Sequence, residues 1–181
     1  HTIAPAEPMS QVGHRVTTGP PIKFEQREER GWAIWGTPAD CTRVALKHLL
    51  PESPAWILSG INHGGNMGQD VHISGTVAAV REGVYHGVPG IAFSHYMKGD
   101  LPLDWDHATK RAAMTLRNLL EHKLESTAFW NVNLPHLAEG DYEPDSPIFA
   151  EPELAPLPVD FEETPEGLRY RGIYADRPLT G

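Results

Sequence analysis

The chain has 181 residues, 15 Lys and Arg against 24 Asp and Glu, a formal charge of −9, one Cys and 10 His. That length suits one domain with its own hydrophobic core, and the acidic balance disfavours a protein that neutralises a run of nucleic-acid phosphates. One cysteine excludes a disulfide framework and any multi-cysteine zinc or iron–sulfur site. No apolar run approaches the roughly 18–20 residues of a membrane span, and the first residues show no signal-peptide pattern, so a soluble cytoplasmic protein without membrane contact is expected.

In chain order, residues 1–5 read as the end of a strand entering a Pro-interrupted loop. Gly19-Pro-Pro marks a turn, and residues 22–25 alternate weakly like a strand. Residues 32–35 form a short apolar strand that stops at Gly36. Cys41 to Leu50 carries apolar residues at helical spacing, with Thr37 as N-cap and Pro38 at the first helical position. A second apolar strand covers 55–58 and leads into a Gly-rich stretch reaching Asp70. A helix opens at Ser74 and ends near Gly87, a buried strand spans 90–94, and an amphipathic helix is predicted from about Asp104 to Leu124. Residues 129–134 are a strand ended by Pro135. Strands alternating with helices imply an α/β fold with a largely parallel sheet.

The charge is uneven. Eleven acidic residues and no Lys or Arg lie between Leu124 and Leu168, which leaves the remainder at +2. Six prolines within 141–166 rule out a regular helix or a central strand there. Residues 1–140 are therefore expected to be the core and 141–181 an extended Pro-rich acidic arm. Its apolar residues Ile148, Phe149, Leu154, Leu157 and Phe161 would pack on the body or on a partner subunit.

In an open α/β sheet, ligands bind beyond the carboxyl ends of the strands. Two features fall there. Asn62 and Asn66 offer amide groups among glycines that let backbone approach a ligand. Ser74-Gly75-Thr76 opens a helix whose free N–H groups and positive dipole end could hold phosphate, although Ser and Thr are also ordinary N-caps. On local pattern alone Ser10 is a turn residue, Asp40 a first-turn residue and Cys41 a buried small hydrophobe. His63, His72, His86 and His95 lack the spacing of a zinc-binding helix. No nucleophile elbow, Walker A motif or Gly-x-Gly-x-x-Gly fingerprint occurs.

Gly36-Thr-Pro-Ala-Asp-Cys41, Leu58-Ser-Gly-Ile-Asn-His-Gly-Gly-Asn-Met-Gly-Gln-Asp70 and Ile73-Ser-Gly-Thr-Val-Ala-Ala-Val-Arg-Glu82 together resemble the SurE family of metal-dependent nucleotidases. The likeness continues through residues 87–94 and Asn131-Val-Asn-Leu-Pro135, and the tail at 156–159 and 170–178 looks like a variant branch. The resemblance implies a Rossmann-like three-layer α/β/α domain that hydrolyses nucleoside monophosphates as a 5′/3′-nucleotidase, with Mg²⁺ or Mn²⁺. By position, Ser10 and Asn62 would match the family's metal ligands, and Asn66, Ser74, Gly75 and Thr76 its phosphate-binding group. It further implies self-association as a dimer or tetramer, with the acidic arm in assembly.

Hydroxyl and amide oxygens suit Mg²⁺ or Mn²⁺ rather than zinc, but both are neutral. The family supplies charge through an Asp-Asp pair after its first strand, and this chain has no Asp-Asp dipeptide. The catalytic carboxylates therefore have no counterpart here. Nine residues precede Ser10, whereas a βαβ unit needs about 30, so the chain is expected to begin inside the family's second strand and to stop short at the other end. As written it is expected to show little activity. The alternative is a phosphate- or nucleotide-binding module without catalysis.

Overall fold

In the computed structural model, which describes residues 1–138, 141, 144–152 and 156–173, strands and helices alternate along the chain. β1 (Thr2–Pro5) pairs in parallel with β3 (Gly31–Ile34), Thr2 opposite Gly31 and Pro5 opposite Ile34. β2 (Phe24–Glu28) lies antiparallel on the other edge of β3. A second, wholly parallel sheet holds β4 (Ile57–His63), β5 (Gly90–His95) and β6 (Trp130–Leu134) in that order. β7 (Phe161–Thr164) and β8 (Gly167–Tyr170) form a separate hairpin.

Helix α1 (Pro38–Val44) starts where its sequence says it should. Thr37 accepts from Asp40 N, Asp40 accepts in return from Thr37 N, and Pro38 occupies a position whose N–H has no helical partner anyway. It continues into one π-helical turn, Ala45–Leu49. Helix α2 (Asp70–Ile73) is short, and Ser74 then caps α3 (Gly75–Tyr85). α1 and α3 pack side by side, and the Thr42 hydroxyl donates to Ala79 O at 2.8 Å.

β5 is buried along its whole length, as a near-continuous apolar strand should be when helices cover both faces. Ala92 packs with Val77 and Val80 of α3. Its neighbours Ile91 and Phe93 point the other way, against Leu116 and Leu119 of α4 (Trp105–Leu119). This is the three-layer, Rossmann-like α/β arrangement.

Several details differ from the sequence reading. β4 runs on through Asn62 to His63, so Asn62 belongs to a strand and not to a loop. α4 stops at Leu119, five residues short of Leu124; the ring N–H of His122 takes the Asn118 carbonyl at 2.9 Å as the helix gives way to a turn. Among the described residues the strands of the α/β core form two three-stranded sheets, one of them wholly parallel. The edges of β1 and β4 face each other across a groove of about 890 Å³, lined by Ile3, Pro5, Trp56 and Leu58 and floored by Cys41 and Thr42 of α1. Periodicity identifies strands but not their pairing partners.

The arm touches the body. Phe149 lies against His122 and Trp130 (ring centroids 5.2 and 5.4 Å apart), Arg111 donates to Pro144 O, and Leu157 N donates to the side chain of Gln69. Ile148 is exposed, and Leu154 and the end of the tail lie outside the described residues. Among the described residues no helix is long and apolar enough to cross a membrane.

Candidate active site

A pocket of about 300 Å³ opens beyond the carboxyl ends of β1 and β4. It gathers Ser10, Asn62, Asn66, Ser74, Gly75 and Thr76, the six candidates named from sequence, although 66 positions separate the first from the last.

Each arrives by a local device. Ser10 sits in the loop after β1, next to Gln11, whose φ of +52° is a left-handed conformation that L residues rarely adopt. In β4 the register against β5 shifts between Ser59 and Asn62, a bulge that bends the strand end. Gly60 permits it, because a Cβ there would collide with Phe93 O. The bulge leaves Asn62 opposite Ser94. The Asn62 amide nitrogen donates to Gly64 O at 2.8 Å, and its oxygen faces the Thr76 hydroxyl at 3.5 Å. The amide oxygen accepts from Thr76 there, and its second lone pair is the part of the side chain that a ligand can use.

Ser74 caps α3 by accepting from Val77 N at 3.2 Å. Gly75 and Thr76 follow at the start of the helix, where N–H groups have no helical acceptor and the dipole end is positive. Gly75 is required by packing, since a Cβ would lie 2.8 Å from Pro38 Cγ.

Asn66 is buried and clamped. Its N–H donates to Asn133 Oδ1 at 2.7 Å, its side-chain amide donates to Ser94 Oγ at 2.6 Å, and its carbonyl accepts from Asn131 and Asn133 at 2.8 and 3.1 Å. Asn66 therefore fixes the loop as well as lining the pocket. Sequence reasoning gave Asn131 and Asn133 no role, because their partner lies more than 60 residues away. It also passed over Asp70, a buried carboxylate that lines the pocket from the first turn of α2. The available signal was an acidic residue closing a Gly-rich stretch just before a cap.

Other candidates stand apart. Asp40 accepts from Thr17 N, Thr17 Oγ1 and Thr37 N at 2.8, 2.7 and 3.0 Å; burial opposes its charge, yet these bonds together hold its pKa below the usual aspartate range. It anchors α1. Burial, helped by the charge of Asp40, pushes the Cys41 thiol up to about 12. His86 and His14 bond to Glu82, and His95 to Tyr96 O. Among the described residues no group of three His, Cys, Asp or Glu stands close enough to hold a metal ion.

The family model for Survival protein SurE matches residues 1–146. The chain belongs to the SurE family. A protein of Nostoc sp. named as a putative 5′-nucleotidase is 45% identical over 177 residues, covering 98% of this chain and 77% of its own length. The 5′-nucleotidase SurE of Heliobacterium modesticaldum is 40% identical over 140 residues, and the chain spans about half of that relative (51%). The crystal structure of the SurE protein from Aquifex aeolicus superposes with a TM-score of 0.78 at 26% identity, covering 94% of this chain and 70% of that one. The SurE fold accounts for the order of strands and helices described above.

Proposed function

We propose that the protein is a phosphomonoesterase that hydrolyses nucleoside monophosphates, a 5′-nucleotidase with activity toward 3′-phosphates. The observation that carries this reading is the convergence of Ser10, Asn62 and the α3 N-terminus on one small pocket. Its support is membership of a family whose relatives include the 5′-nucleotidase SurE of Heliobacterium modesticaldum.

The Gly75 and Thr76 N–H groups and the Thr76 hydroxyl would bind phosphoryl oxygens, favoured by the positive end of the helix. The bonds from Asn131 and Asn133 to Asn66 keep the loop in place without reorganisation on binding. Ser10 and the amide oxygen of Asn62 fit a hard divalent cation, Mg²⁺ or Mn²⁺, as two neutral donors lining one pocket. They form part of a coordination shell and not a whole one. Such an ion, when bound, neutralises phosphoryl charge.

Self-association as a dimer or tetramer is part of the same reading. It is supported by exposed apolar side chains on the arm and hairpin, namely Ile148, Phe161 and Leu168. A cytoplasmic location accords with the single buried free cysteine. The test is phosphate release from AMP, GMP, CMP and UMP by the protein expressed from its complete reading frame. Turnover with Mn²⁺ or Mg²⁺ that EDTA abolishes is the expected result. No turnover of any nucleotide with either ion would overturn it.

A further inference from the structure

We propose that His63, Tyr96 and Trp105 form the nucleobase subsite, a ledge on which the base of the substrate stacks; this rests on the phosphatase reading above.

The ledge adjoins the phosphate pocket directly. His63 lines that pocket, one residue beyond Asn62, and its ring lies 6.5 Å from that of Trp105. Tyr96 leans over the loop that carries Asn66. A Cβ on Gly65 would lie 3.2 Å from Tyr96 Cδ2, so glycine is what lets the tyrosine ring come so close. A ligand whose phosphate sits on the α3 N-terminus and whose remainder turns toward β5 meets these rings next.

The ledge is also built rigidly. Tyr96 N donates to Leu134 O at 2.9 Å, and the buried His95 ring donates to Tyr96 O at 2.7 Å. That same ring meets Trp105 edge-on at 6.0 Å and His136 at 5.1 Å. Gly64 N closes onto His95 O at 3.0 Å, tying the pocket loop to the same strand end. Yet Trp105 and Tyr96 remain 41% and 39% exposed on this backing. Single exposed aromatics are ordinary on protein surfaces. Three such rings around the end of β5, the His63 and Trp105 rings inclined at 52° to each other and His63 itself lining the anion pocket, match a flat π-system bearing a phosphate. Every base has a π-face, so such a ledge accepts purines and pyrimidines alike, with larger rings gaining more.

The test compares AMP with ribose 5-phosphate, which keeps the phosphoester and the sugar but lacks the base, using protein from the complete reading frame. In Trp105→Ala the preference for AMP over ribose 5-phosphate, expressed as the ratio of their KM values, should fall roughly tenfold. Trp105→Phe should restore most of it, and Tyr96→Ala should shift the same ratio. An unchanged ratio in both alanine variants, or no recovery in Trp105→Phe, overturns the subsite. If the wild type hydrolyses neither ester, the phosphatase reading fails by itself. The subsite is then judged by adenosine quenching of tryptophan fluorescence, with Trp105→Phe as reference. Quenching seen in the wild type and lost in that variant supports it, and no quenching in the wild type sinks it.

Discussion

Gly75→Ala tests how the α3 N-terminus is held at the pocket. The new Cβ would lie 2.8 Å from Pro38 Cγ, and 3.5 Å from Pro38 Cδ and from Val12 Cγ2. Carbon atoms pack best at about 3.5–4.0 Å, so the first contact is too short by at least roughly 0.7 Å. Pro38 is a ring at the rigid start of α1 and cannot swing aside, so the two helix starts must move apart. Overpacking of this kind costs about 1–3 kcal/mol, against a gain of up to about 1 kcal/mol for replacing glycine by alanine in a helix. A net loss of about 1–2 kcal/mol is expected, read as a lower urea midpoint with an unchanged m-value. Pro38→Ala removes the obstructing ring and alone should cost only about 0.4–1 kcal/mol. In the double variant the two effects should fail to add by about 1 kcal/mol or more. Gly19→Ala, where an added Cβ meets nothing within 4 Å, is the control and should leave the midpoint in place or raise it by up to about 1 kcal/mol of stability, never lower it. Strict additivity of Gly75→Ala and Pro38→Ala would refute the steric argument.

Asp40→Asn keeps the shape of the side chain but leaves one of three donors without an acceptor, which should cost about 1–3 kcal/mol at neutral pH. Because the folded pKa of Asp40 lies below the ordinary 3.8, the unfolded chain binds the proton more tightly, and this stabilisation is complete above that value and lost as pH falls through the folded one. The gap between wild type and variant in urea melts should therefore close as pH drops below about 4; a gap that widens there contradicts the assignment. Asn133→Ala strips two bonds from the Asn66 backbone, and the Asn66 amide should exchange with deuterium roughly tenfold faster or more. Unchanged protection would show that the loop is held by other means. Cys41 should resist a thiol reagent in the native protein and react fully in urea, since only the thiolate attacks and burial suppresses it. Native-state labelling at the rate of a free thiol would refute its buried placement.

What could be read from sequence was whatever is encoded locally. Thr37 and Pro38 announce α1, Ser74 announces α3, and the unbroken apolar run at 90–94 announces a strand covered on both faces. Asn62, Asn66 and Ser74–Thr76 stood out as amides, glycines and a cap at strand and helix ends, whereas their roles, and Ser10 altogether, came from the likeness to the SurE family, because a lone serine in a Pro-rich loop looks like any turn residue. What escaped depends on contacts between distant positions. The grip of Asn131 and Asn133 on Asn66 has no trace in periodicity, and the bulge that makes Asn62 part of β4 shows only once β5 is beside it.

The groove between β1 and β4 leaves the helices to tie the two sheets together. Among the described residues no ladder of backbone bonds runs from one sheet to the other, so the two are joined through the helices above them. Thr42 on Ala79 and Pro38 against Gly75 lie at this joint. Ser10 follows β1 of one sheet, Asn62 lies near the end of β4 of the other and Gly75 opens α3, so the pocket draws its lining from three separate parts of the fold. The close approach of Pro38 to Gly75 thus ties the start of α3, and with it one wall of the pocket, to the start of α1.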